Sequence, residues 1–440
     1  MTGAGFLWGE SKIKFIGASV VIVAMIASLS YSFGLYLVYI SSYSPDLWLI
    51  GAWGLFMLFY SLHTLKRKEG VYDIVCDLGY RVALFPMRVF MNFKLSLELH
   101  NSRSILSELL TKNEHLKAEL VRKPDVYLIF VESYGGLLLK DEELNESFKK
   151  IWRQFEKGLG EDGYTSRSNL SHSVSLVGPS WLAYTTGLLG MKVASNYLYE
   201  HILSHPSAKE INTFCKFFQN NGYKSFHLNP TQPRFGIKVP YKKIEQLYGI
   251  DQYVLIKDIP YAGKVYGISQ SAPDQYVLNY TREAYMSQEE GPSLLFYLTK
   301  NSHSPFLSPE LPVADWKSLN ELSPEIVGSE FLRTPNKENY IKAINYQLKT
   351  LEDFIRKDPK QDSIYLIIGD HQPHHIVHKT ESGTETLFHV VSKDKDLVQS
   401  FEKYGFKRDL DQLDSPVNHE DLFPMFAEQM RVWYGQNESD

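Results

Sequence analysis

The chain has 440 residues, of which 44% are hydrophobic, 22% charged and a high 14% aromatic, and its formal net charge is −5. That balance, with an isoelectric point near 6.3, gives no basis for a nucleic-acid partner. The length holds one α/β domain of about 300 residues plus an accessory region, and two cysteines as far apart as Cys76 and Cys215 exclude a disulfide framework.

The accessory region comes first. Phe15 to Ile40 carries no charged side chain and is long enough to cross a bilayer core of roughly 30 Å as a helix. A secretory signal would be shorter and would end in a small-residue cleavage site, so this segment is expected to stay. A second apolar run over about 46–63 follows, with Trp48 and Tyr60 as interfacial anchors. Lys12 and Lys14 precede the first run, Lys66, Arg67 and Lys68 follow the second, and the link between them has no Lys or Arg. The positive-inside rule then puts both outer flanks in the cytoplasm. Val71 to Leu95 is apolar but broken by Asp73, Asp77, Arg81, Pro86 and Arg88. It reads either as an interfacial amphipathic helix or as a third span, and that choice sets the side on which the rest of the chain lies. Residues 101–123 are polar with spaced leucines, which predicts a linker helix between a membrane region (1–100) and a catalytic domain (124–440).

At Pro124 the texture changes. Asp125 to Val131 is a short run of β-formers, the pattern of a buried parallel strand, and it ends in Glu132-Ser133. Ser293 to Thr299 has the same character and leads to His303 in Asn-Ser-His-Ser-Pro-Phe. Ser363 to Ile368 leads to Gly369-Asp370-His371. The Lys337 to Lys357 segment has a 3.6-residue apolar period and feeds that last strand, as an α/β unit would. Ligands in α/β sheets sit at the carboxyl ends of strands. An Asp-His pair there offers one oxygen and one nitrogen to an ion such as Zn²⁺ or Mn²⁺. Three such tips predict one convergent polar site.

The order strand-Val-Glu-Ser, Ser/Thr-rich segment before a helix, Asn-Ser-His-Ser-Pro-Phe and Gly-Asp-His resembles the sulfatase-like branch of the alkaline-phosphatase superfamily. That branch includes lipoteichoic-acid synthases and the phosphoglycerol and phosphoethanolamine transferases. The likeness runs from about Lys123 to the end. It implies a mixed, mostly parallel α/β sheet flanked by helices, behind N-terminal transmembrane helices in the cell (inner) membrane. It also implies an extracytoplasmic catalytic domain and a membrane lipid or envelope glycan as substrate. The implied ligands of one divalent ion, Mn or Zn, are Glu132, Asp370, His371 and a hydroxyl nucleophile. His303 takes the place of the family's substrate-phosphate histidine. His374 and His375 leave a second ion open, although adjacent side chains rarely reach one ion together.

The nucleophile is sought between Ser171 and Gly187. Pro179 suits the first turn of a helix, so hydroxyls nearby lie at a positive helix end. Counting back from Ser-Trp-Leu-Ala matches Ser175 to the family threonine, with Ser173 and Ser180 as fallbacks. The formylglycine signature Cys-x-Pro-Ser-Arg of sulfatases is missing. The resemblance then implies transfer or diester cleavage through a phospho-serine. A phosphatase or sulfatase of the same fold and a catalytically silent membrane-tethered module remain alternatives. Arg234 and Asp274 are the expected substrate contacts. His389 reads as a satisfied core histidine and His419 as a structural residue at a helix start.

Overall fold

The computed structural model describes residues 105–436 apart from 106, 114–115, 232–238, 268–269, 328–334 and 378–382. The expected membrane segments (15–40, 46–63 and 71–95) lie outside the described residues. Among the described residues, no helix is long and apolar enough to cross a membrane.

Ten strands follow in chain order among the described residues: β1 (Val126–Val131), β2 (Thr165–His172), β3 (Lys224–Asn229), β4 (Gln252–Leu255), β5 (Val265–Tyr266), β6 (Ser293–Leu298), β7 (Ile326–Val327), β8 (Ile364–Gly369), β9 (Glu385–Ser392) and β10 (Val417–Asn418). Eight form one sheet in the order β10-β2-β9-β8-β1-β6-β3-β4, and β5 and β7 pair separately. All neighbours in the large sheet are parallel except at β9, which runs antiparallel to both β2 and β8. The expected mixed, mostly parallel sheet is therefore present.

Why β1 is central can be read from its six residues. Every one is buried, so the strand cannot have a wet face and must be covered on both sides. Val126, Leu128 and Phe130 join a core with Leu182, Phe218 and Phe426. Tyr127, Ile129 and Val131 point the other way, to Phe148, Trp152, Ile344 and Phe354. The second face is covered by two twenty-residue helices, Glu142–Glu161 and Lys337–Arg356. The side chains of Asp141 and Asn336 cap their first turns by accepting from Glu143 and Leu144 and from Asn339.

Register sets the site. β1 lies between β8 and β6 with Val131 opposite Gly369 and Phe130 opposite Leu298. The residues just past these three strands are thus lateral neighbours at one edge. The edge is continued by β2, whose sequence Thr-Ser-Arg-Ser-Asn-Leu-Ser-His carries little apolar signal. It ends at His172 and passes through a loop into the helix Ser180–Leu189.

The expected continuous linker helix over 101–123 needs correction. Residues 107–112 are helical, but 117–119 and 123 are not. Leu116 and Leu120 are drawn into the core, Leu120 pairs with Gly435, and Val121 N–H donates to the Tyr434 carbonyl at 2.7 Å. Burying these leucines on the sheet domain favours an extended strap over a free-standing helix.

Candidate active site and metal centre

Glu132 follows β1, and Asp370 and His371 follow β8. Their ligand atoms all lie within 4.8 Å of one another, and all three residues are buried. His371 Nε2 is 3.3 Å from Glu132 Oε1 and 3.3 Å from Asp370 Oδ2. Its Nδ1 is 2.8 Å from the Gln372 carbonyl, which can only accept. Nδ1 therefore carries the proton in the neutral ring, and Nε2 turns its lone pair toward the two carboxylates.

Backbone hydrogen bonds hold this arrangement against its own repulsion. Asp370 Oδ1 accepts from Ser133 N–H and from His371 N–H, both at 2.7 Å. Ser133 has a left-handed backbone (φ 60°), a costly state for a non-glycine residue. It is kept there by Asp370, by Tyr340 Oη donating to its carbonyl at 2.7 Å, and by its own hydroxyl donating to Glu132 Oε1 at 3.1 Å. The turn then passes through Gly135, where a Cβ would collide with Gln372. Only glycine permits that approach.

Charge confirms the crowding. Burial would raise the Glu132 carboxyl, but His303, His371 and Lys300 outweigh it and hold it below its usual range. Asp370 is pushed up to about 6, first by burial and then by Glu132. Burial would lower His371, yet Asp370 and Glu132 hold it above its usual range. Asp370 Oδ2 is buried and receives no hydrogen bond. Two oxygens and one imidazole lone pair converging on a buried point with an orphaned carboxylate oxygen are what a divalent cation needs. The residues fit a metal.

The hydroxyl that joins them is Ser180, not Ser175. Ser180 Oγ is 3.3 Å from Glu132 Oε2 and 3.5 Å from His371 Nε2. Pro179 is the N-cap and Ser180 the first helical residue, so the hydroxyl stands at the positive end of the helix. Ser175 Oγ is buried with no partner at all. Ser173 Oγ donates to the Asp370 carbonyl at 2.6 Å and serves the backbone beneath the site.

The remaining expected residues divide. His303 is exposed on the loop after β6, its Nδ1 2.7 Å from the Ser304 carbonyl, and is close enough to Glu132 to act on its charge. Asp274 needs correction as a substrate contact. It is wholly buried, and its carboxylate is used internally by Tyr297 Oη, Gln347 Nε2, and the Lys300 and Asn301 amides. Arg234 lies outside the described residues. His374 and His375 are exposed and do not join the cluster. His389 is buried between Ser168 Oγ (2.7 Å) and Tyr134 Oη (3.1 Å), stacked on Trp152. His419 links Ser171 Oγ at 2.9 Å to the Gly369 carbonyl at 3.1 Å. It ties the strand that leads to Ser180 to the residue before Asp370.

Sequence reasoning missed Lys300. A lysine two residues past an apolar strand reads as surface, and the signal available was its position level with Glu132 across β1 and β6.

The chain is similar in fold to solved members of the alkaline phosphatase superfamily. One is a superfamily protein from Vibrio parahaemolyticus (16% identity, covering 71% of this chain and 68% of that one, TM-score 0.46). Another is the lipoteichoic acid synthase LtaP from Listeria monocytogenes (13% identity, 74% and 78% covered, TM-score 0.45). A third is the phosphoglycerol transferase GacH from Streptococcus pyogenes, solved with sn-glycerol-1-phosphate (15% identity, 78% and 87% covered, TM-score 0.44). No family model and no curated protein matches the sequence.

Proposed function

We propose that the chain is a membrane-anchored, metal-dependent phosphotransferase or phosphodiesterase that works through a phospho-serine on Ser180. Its substrate on this reading is a cell-envelope lipid or glycan, met outside the cytoplasm. The observation that carries the reading is a helix-start hydroxyl beside a buried Glu-Asp-His cluster, with Ser180 Oγ 3.3 Å from Glu132. The uncharged run from Phe15 to Ile40 supports the anchor.

A divalent ion, Mn²⁺ or Zn²⁺, held by Glu132, Asp370 and His371 would supply Lewis-acid chemistry and ease ionisation of a nearby hydroxyl. Ser180 Oγ gives up its proton to solvent water and forms the new bond to phosphorus, and the bond from phosphorus to the leaving oxygen breaks. The N-terminus of the Ser180–Leu189 helix offers unpaired amide protons to the anion as it docks. His303, with its Nδ1 held on the Ser304 carbonyl, is the group placed to pass a proton from Nε2 to the leaving oxygen. An acceptor hydroxyl or water then displaces Ser180 and releases it.

The test uses the purified full-length chain with a bis-aryl phosphodiester and added Mn²⁺ or Zn²⁺. Release of the aryl group together with a phosphoryl adduct on the Ser180 peptide is expected. Undiminished release by Ser180→Ala would overturn the assignment.

A further inference from the structure

Among the described residues, the Lys300 ammonium has no hydrogen-bond or contact ion-pair partner. Extending the β1–β6 register past Phe130 opposite Leu298 places Thr299 beside Val131 and Lys300 beside Glu132. The ladder does continue, since Thr299 N–H donates to the Phe130 carbonyl at 2.9 Å and Glu132 N–H donates to Thr299 Oγ1 at 3.1 Å. With Val131 opposite Gly369 on the other side, Asp370, Glu132 and Lys300 stand in a row across three adjacent strand tips.

The backbone of Lys300 is held unusually firmly for a loop. Its amide donates to both oxygens of the buried Asp274 carboxylate, at 2.9 and 3.1 Å, and the next amide donates to Oδ2 at 2.8 Å. Asn301 Oδ1 accepts the Asp274 amide at 2.6 Å, so the two segments are locked to each other. Ser302 Oγ donates to the Glu132 carbonyl at 2.6 Å and pins the far side. The side chain differs. It is partly buried, and burial holds its pKa below the usual lysine range against the opposing pull of Glu132, Asp274 and Asp370. Yet among the described residues no hydrogen bond or contact ion pair engages its ammonium. A half-buried lysine with a fixed backbone and an unpaired ammonium, on the strand tip beside a cluster fit to hold a cation, is the arrangement for gripping an anion that spans both.

The geometry points to Lys300 as a substrate-binding residue that contacts a non-bridging oxygen of the anionic ester, with Asp274 as the positioning residue that fixes it beside Glu132. This rests on the reading of the site as one for phosphoryl transfer. It gives the buried Asp274 network a purpose that packing alone does not, since two of the four donors to its carboxylate are amides of this one short loop. It also separates two jobs, with Ser180 carrying the covalent step and Lys300 carrying recognition.

The test compares full-length wild type with Lys300→Met, Lys300→Arg, Asp274→Asn and Ser180→Ala. The probes are inorganic phosphate, bound by calorimetry, and a bis-aryl phosphodiester, read as KM and kcat. Lys300→Met is expected to weaken phosphate binding and raise KM by on the order of 10- to 100-fold, with metal content per chain unchanged. Lys300→Arg should recover part of that loss. Asp274→Asn should weaken phosphate binding in the same direction and add little in the double variant. Wild-type phosphate affinity and KM in Lys300→Met would overturn the inference, as would loss of the metal in that variant. Failure of the phospho-serine reading is seen separately, as turnover by Ser180→Ala, and leaves phosphate binding to Lys300 measurable on its own.

Discussion

Acid should loosen the seam between the Ser180 arm and the Asp370 strand through His419. Its ring is buried, accepts from Ser171 Oγ at Nδ1 and donates to the Gly369 carbonyl from Nε2. Only the neutral ring can do both. Burial holds its pKa down to about 4, against about 6.5 in an unfolded chain. Between those values the unfolded state binds the extra proton, so stability rises with pH through the window and falls on acidification. At pH 8 the group costs nothing. At pH 5 the unfolded chain is almost fully protonated at this site and the folded one is not, a penalty of about 2 kcal/mol. That is a large part of a typical total of roughly 5–15 kcal/mol. His419→Gln keeps one donor and one acceptor but cannot titrate. Urea unfolding of the full-length chain at pH 8 and pH 5 should show wild type losing about 2 kcal/mol more than the variant. Equal losses in the two proteins would refute the reasoning.

Further outcomes follow from the same contacts. Ser175→Ala should leave turnover within a few-fold of wild type and raise stability by about 1 kcal/mol, because it removes a buried hydroxyl with no partner. Ser180→Ala should cost at least about a thousand-fold in turnover. Gly369→Ala should destabilise the fold by over about 2 kcal/mol in urea titration, since its Cβ would be driven into the Tyr134 carbonyl. With chelator present, Asp370→Asn should raise the melting temperature above wild type by relieving repulsion with Glu132. Added Zn²⁺ or Mn²⁺ should then stabilise wild type and leave the variant unmoved.

Much of this site was legible because apolar strands announce where they end. Val126–Val131, Ser293–Leu298 and Ile364–Gly369 each pass abruptly into polar residues, and their tips are neighbours in the sheet. Ser180 was harder. β2 is polar, so its end and the loop after it have no apolar boundary to count from, and Pro179 proved to be the cap rather than the first turn. Asp274 misled for the opposite reason. Its segment resembles one that recurs in the family, and only the fold shows that Tyr297, Gln347 and two loop amides consume its carboxylate. The strap at 116–123 departed from a helix because its leucines found a core partner that no local pattern reveals.

The most direct check on a metal-dependent site is elemental analysis of the purified full-length chain beside Asp370→Ala. About one Mn or Zn per wild-type chain is expected, lost in the variant together with diester turnover. A folded wild type that turns over the diester without a bound metal, or a variant that keeps its full metal content, would contradict that expectation.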